Sequence, residues 1–114
     1  APMEVKAFFS HAKETLGGER FTEYPFGKAK KIRTAGIVSG GGQGHVHDAL
    51  ALGLDCFITG EPSEYMQELA REEGIHFLAA GHYRTEVWGV RALARLLAKQ
   101  FGITADFIDI PNET

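Results

Sequence analysis

The chain is short of the features that several large functional classes require. A single cysteine, Cys56, among 114 residues excludes an intramolecular disulfide framework. It fits a reducing compartment, which makes the cytoplasm the expected setting. No apolar run approaches the ~20 residues of a membrane-spanning helix. Met3-Glu4-Val5-Lys6 is charged and amphipathic where a signal peptide would be apolar. Basic residues are outnumbered: 12 Lys and Arg against 15 Asp and Glu give a net charge of −3. Neither nucleic acid nor an anionic membrane is therefore an expected partner. No internal repeat and no linker-like composition interrupts the chain.

What is present is the material of one core. Hydrophobic residues make up 44% and charged residues 24%, enough for a single domain over residues 1–114 and too little for two. Glycine is abundant, with 14 residues clustered at apparent element ends, as in proteins built from tight strand-to-helix turns.

Val5 to Leu16 predicts an amphipathic helix, because Val5, Phe8, Phe9, Ala12 and Leu16 share one face. Gly17-Gly18 ends it. Phe21 to Gly27 is ambiguous, a short strand at best, weakened by Pro25. Gly27-Lys28-Ala29-Lys30-Lys31 reads as a solvated basic turn. Ile32 to Ser39 predicts a strand that runs into Ser39-Gly40-Gly41-Gly42-Gln43-Gly44, then a helix from about His45 to Leu52. Leu54 to Thr59 is nearly continuously apolar and predicts a buried strand of a parallel sheet, with Cys56 as a small core residue. A helix follows from about Ser63 to Glu73, closed by Gly74. Ile75 to Ala80 predicts the next strand. A long helix then runs from about Tyr83 to Gly102, with Val87, Val90, Leu93, Ala94, Leu97 and Phe101 along one face. A last strand is expected over Ala105 to Ile110, stopped by Pro111. This alternation argues for an α/β fold: a layered domain with a mostly parallel sheet flanked by helices.

Chemistry concentrates where strands end. His82 and Glu86 are four residues apart at the start of the long helix, so both side chains point to one face a turn apart. A histidine and a carboxylate so placed can bind one divalent cation. The competing reading is a loop histidine beside a carboxylate that complements the helix dipole. Glu61 follows the preceding strand, where open α/β sheets place ligands. It reads either as a group that binds substrate or supports another ligand, or as an exposed turn residue. Gly41 and Gly42 lie in a loop whose backbone amides can cradle an anion. The competing reading is a tight turn with positive φ at several residues. The loop lacks the lysine and Ser/Thr of a Walker A motif and is not a dinucleotide fingerprint. His45, His47 and Asp48 read as solvated helix-start residues.

Three blocks taken together carry a family resemblance: Val38-Ser39-Gly40-Gly41-Gly42, then Asp55-Cys56-Phe57-Ile58-Thr59-Gly60-Glu61, then Gly81-His82-Tyr83-Arg84-Thr85-Glu86-Val87-Trp88-Gly89-Val90-Arg91-Ala92-Leu93. In this order and spacing the chain resembles the carboxyl-terminal half of the NGG-one-interacting-factor-three-like family. These proteins are also called dinuclear-metal-centre hexameric proteins or GTP cyclohydrolase type-two homologues. The resemblance implies an α/β domain, a ring-shaped homohexamer and two divalent metals per subunit, with His82 and Glu86 as metal ligands. The family's other ligands, a His-His pair and an aspartate, belong to its amino-terminal half, and this chain has no His-His pair.

The expectation that follows is a divalent-metal-binding domain of a metal-dependent hydrolase-like family, with a metal site that is incomplete on this chain alone. Zinc, manganese or iron each accept His and Glu ligands. The missing ligands would come from a separate amino-terminal half, from a second copy in a homo-oligomer, or locally from His45, His47 or Glu61. The alternative is a non-catalytic oligomerisation or anion-binding regulatory domain. The substrate is not legible in these residues.

Overall fold

A computed structural model describes residues 1–112. A two-residue strand β1 (Met3–Glu4) leads into helix α1 (Val5–Leu16), followed by strands β2 (Thr22–Pro25), β3 (Lys31–Ile32) and β4 (Ala35–Val38). A single 3-10 turn, Gln43–His45, opens helix α2 (Val46–Ala51). Then come β5 (Cys56–Thr59), α3 (Met66–Glu73), β6 (His76–Ala79) and the long α4 (His82–Phe101). The main sheet has the order β2-β6-β5-β4. Pairs β4·β5 and β5·β6 are parallel and β2·β6 is antiparallel. The fold is thus α/β with a mostly parallel sheet, as the alternation predicts.

The two central strands are buried at every position, and side-chain alternation sends their residues into two cores. Cys56, Ile58 and Leu78 meet Phe9 and Ile32 on the α1 side. Phe57, Phe77 and Ala79 meet Val46, Ala49, Met66 and Ala70 on the α2/α3 side. Burial, reinforced by the negative charge of Asp55, pushes the Cys56 thiol up to about 12, so it is a core residue and not a reactive one. His76 is also structural. Its Nδ1 accepts from the Gly27 amide at 3.1 Å and its Nε2 donates to the Ala29 carbonyl at 2.7 Å.

Three expectations need correction. The strand expected from Ile32 to Ser39 is two strands. Asp55 breaks it by accepting the amides of Arg33 at 2.8 Å and Thr34 at 3.1 Å, and β3 turns away to pair with β1. The last strand does not form: 105–110 has no regular secondary structure and belongs to neither sheet. It lies against α4 instead, with Phe107 under the Arg91 guanidinium at 4.7 Å and Asp109 3.6 Å from it. The apolar stripe of α4 is not buried by this chain. Val87 is covered and Ala94 and Leu97 are half-buried, but Val90, Leu93 and Phe101 of the stripe, and Leu96 beside it, are more than half exposed. Ile108 and Ile110, on the segment after α4, are exposed as well, and exposed apolar side chains in such number are of a kind that marks interaction surfaces. Among the described residues, no helix is long and apolar enough to cross a membrane.

Candidate functional site

Beyond their assigned ends, three parallel strands continue as a ladder of glycines. The Gly60 amide donates to the Gly40 carbonyl at 2.9 Å, and the Gly81 amide donates to the Gly60 carbonyl at 2.9 Å. There is no room for a side chain at the middle of this ladder. A Cβ on Gly60 would lie 2.5 Å from the Gly40 oxygen and 2.8 Å from the His82 Cα. The next residues on the second and third strands are Glu61 and His82, so the ladder holds them side by side. Buried Thr85 ties the junction from the helix side. Its hydroxyl accepts from the Gly40 amide at 2.8 Å and donates toward the Gly81 carbonyl at 2.9 Å.

His82 is the first residue of α4, one position earlier than spacing predicts, and its ring stands between two carboxylates. Nδ1 is 2.5 Å from Oε1 of Glu61, and Nε2 is 3.3 Å from Oε1 of Glu86. A carboxylate accepts only, so the nitrogen facing Glu61 carries a hydrogen. That leaves Nε2 facing Glu86. Satisfying both acids at once requires a second ring proton, or a cation, at Nε2. The hydrogen bond to Glu61, with the charge of Glu86 adding to it, accordingly raises the His82 pKa above the usual histidine range, against an opposing effect of desolvation.

The expected ligand pair, His82 and Glu86, is therefore brought together. A donor separation of 3.3 Å matches two protein atoms that each sit about 2.0–2.2 Å from one cation. Glu61 lies on the opposite ring nitrogen, so the three groups do not converge on one point. Consistent with this, the described residues contain no cluster of three or more His, Cys, Asp or Glu side chains disposed to hold a metal. His45 and Asp48 pair with each other at 2.8 Å on the exposed helix start, as expected for solvated residues.

The glycine loop faces this pair, with one conformational correction. Of residues 40–44 only Gly40 has positive φ, at 67°; crowding accounts for much of the rest. A Cβ on Gly40 would lie 2.5 Å from Oε1 of Glu86 and 3.1 Å from Nε2 of His82. One on Gly41 would lie 3.7 Å from His82 Cε1, 3.8 Å from Glu61 Oε2 and 3.7 Å from Gln43 Oε1. Gly42 is buried and abuts Val38 and Thr59. Its missing side chain thus serves packing, while Gly40 and Gly41 clear space around the ring.

Sequence reasoning missed Gln43. Its Oε1 is buried and has no hydrogen-bond partner among the described residues, although buried oxygens are rarely left so. The available signal was its position as the one polar side chain inside the glycine run.

On the other side of Glu61 and His82 opens a cavity of about 1080 Å³. It is walled by the segment after α1, the ends of β5 and β6, and Arg84.

A family model described as Duf34/NIF3 (NGG1p interacting factor 3) matches residues 1–113. The "GTP cyclohydrolase 1 type 2 homolog" of Pseudomonas aeruginosa is 42% identical over 97% of this chain and 43% of its own length. The protein of the same description from Haemophilus influenzae is 49% identical over 71% of this chain and 32% of its own. The solved structure of protein ybgI superposes on all of this chain with a TM-score of 0.87 at 36% identity, using 46% of its own length. TTHA1606 of Thermus thermophilus gives 0.83 at 30% identity, again over all of this chain and 45% of its own. The chain spans less than half the length of these relatives. By the extent of the family match and the shared fold, this chain belongs to the Duf34/NIF3 (NGG1p interacting factor 3) family.

Proposed function

We propose that this chain contributes His82 and Glu86 as two ligands of a divalent-metal site, with zinc, manganese or iron as the cation, in a metal-dependent hydrolase-like protein. The observation that carries the reading is the His82 ring held between two acids. A proton on Nε2 and a divalent cation are alternative ways to join the ring to Glu86, and a divalent cation is suited to that place. Gly40 and Gly41 leave that side of the ring uncovered, and the buried Gln43 oxygen nearby supplies a further unpaired acceptor. Zinc, manganese and iron all accept this mixture of imidazole and oxygen donors.

Glu61 acts here by keeping the hydrogen on Nδ1, which fixes the ring orientation and directs the Nε2 lone pair toward Glu86. Thr85 and the glycine ladder hold the first turn of α4 in place, so little has to be ordered when the cation arrives. A bound cation of this kind polarises carbonyl or phosphoryl oxygens and makes bound water acidic. Two protein ligands fall short of the three that a catalytic zinc usually keeps. We therefore infer that the site is completed across an interface.

The exposed apolar face of α4, which begins one turn after Glu86, supports assembly with further copies of the chain. The family's hexameric form is the expected product, and a separate amino-terminal half is the other source of ligands. The same face favours the second reading, a non-catalytic oligomerisation domain. Calorimetric titration of EDTA-treated protein with Zn²⁺, Mn²⁺ and Fe²⁺ separates the two. The metal reading requires saturable binding that His82→Ala and Glu86→Gln each remove without lowering the melting temperature of the metal-free form. Unchanged binding in both variants would leave only the assembly reading.

A further inference from the structure

The cavity beside Glu61 and His82 is lined by two arginines, Arg20 and Arg84. Neither makes an ion pair, a hydrogen bond or a ring contact among the described residues. Among the described residues neither is paired, although Glu19 belongs to the same wall. Arg84 is set in place by the backbone. Its stem lies against two glycines with positive φ, Gly18 at 103° and Gly81 at 93°. A Cβ on Gly18 would lie 3.2 Å from Arg84 Nε, and one on Gly81 would lie 3.4 Å from its Cγ. A side chain at Gly18 would crowd the guanidinium end by a few tenths of an ångström, and one at Gly81 would touch the stem. The second wall is the first turn of α4, whose 20 residues present the positive end of the helix dipole to the same space.

We propose that this cavity is the substrate subsite of the centre described above and that it selects a phosphorylated small molecule. Arg20 and Arg84 hold the phosphoryl oxygens, and the scissile part of the molecule lies toward His82. Two separate guanidiniums match the dianionic charge of a phosphate monoester better than the single charge of a carboxylate, and each offers a planar fork of donors to it. The acids of the wall do not cancel this field. Among the described residues of the wall, Glu61 is engaged by the His82 ring, which leaves Glu19 as the unpaired acid against two cations. The assignment of substrate side and metal side rests on the metal-site reading; the anion site itself does not.

Titration of the full chain with inorganic phosphate, after EDTA treatment and at low ionic strength, tests the proposal without metal. Saturable binding is expected, weakened about tenfold or more by Arg84→Gln and by Arg20→Gln, and unchanged in Glu86→Gln. Acetate at the same concentrations should bind at least about tenfold more weakly than phosphate. Melting curves of each variant establish that it is folded. Phosphate binding that ignores both arginine substitutions, or acetate binding of equal strength, overturns the proposal. Metal content of the parent and of Glu86→Gln, measured on portions reloaded with Zn²⁺ or Mn²⁺ and freed of excess metal, reports separately on the metal site, so either reading can fail alone.

Discussion

A Cβ placed on Gly40 would stand 2.5 Å from Oε1 of Glu86, a residue far along the chain. The glycine loop and the first turns of α4 are thus fitted to each other at the carboxylate itself. Gly40→Ala should cost about 1–2 kcal/mol, mostly because alanine resists φ of 67°. The Glu86 side chain is 55% exposed and can swing aside, which relieves the clash but separates it from His82. Urea unfolding should show the modest loss. Metal titration should show a larger relative defect than stability does. A variant that binds metal normally would mean the carboxylate does not need its present position.

Glu61 governs the His82 ring. Removing its charge should lower the His82 pKa, because the hydrogen bond to Glu61 is the largest of the causes that raise it. In the metal-free chain, the imidazole resonances of His82 should titrate at lower pH in Glu61→Gln than in the parent. Metal affinity should nevertheless fall about 10–100-fold at a pH where the ring is neutral in both proteins, since the ring loses its orienting partner. An unmoved NMR midpoint contradicts this assignment.

Asp55 offers a prediction about acid stability. Two backbone hydrogen bonds, with Arg33 the larger cause, hold its pKa below 3.8 in the folded chain. Its contribution is therefore fully present above the unfolded value and is lost as pH falls through the lower folded value. Asp55→Asn should lose at most about 1 kcal/mol at neutral pH, because solvent screens so accessible a carboxylate, and it should show a shallower decline in acid. Urea midpoints measured across that range decide; parallel curves for the two proteins would remove Asp55 from the account.

The outer face of α4 yields a prediction about assembly. Leu93 and Leu96 are 53% and 55% exposed and supply little to either core. Changing both to glutamate should leave the melting temperature of the isolated chain within a few degrees, since substitutions at such positions cost within about 0.5 kcal/mol. It should lower the mass measured by light scattering if copies meet through this face. An unchanged mass would place the interface elsewhere.

Much of the fold was legible because local patterns and tertiary needs agreed. The apolar run through Cys56 to Thr59 marks a strand buried on both faces, and it is one. The 3.6-residue repeat of α1 points Phe9 into a core. Period-two alternation over Ala105 to Ile110 predicted a strand that does not form, because alternation cannot supply a partner. Here Phe107 and Asp109 turn to Arg91 rather than to a neighbouring strand. The stripe on α4 was visible as apolar, whereas its exposure depends on what else the chain packs against. At the site, His82 and Glu86 were readable because helical spacing alone joins them. The grip of Glu61 on the same ring depends on the register Gly40-Gly60-Gly81 across three strands. No local spacing encodes that register. Gln43 was overlooked because its significance lies in being buried without a partner among the described residues.

The most direct test is anomalous diffraction from crystals of the full chain grown with Zn²⁺ or Mn²⁺, with data collected on both sides of the metal's absorption edge. The account predicts a peak within coordination distance of Nε2 of His82 and an oxygen of Glu86, absent from His82→Ala crystals grown the same way. A metal-soaked crystal with no peak between those two atoms, or with its only peak at the exposed His45 and Asp48, would contradict it.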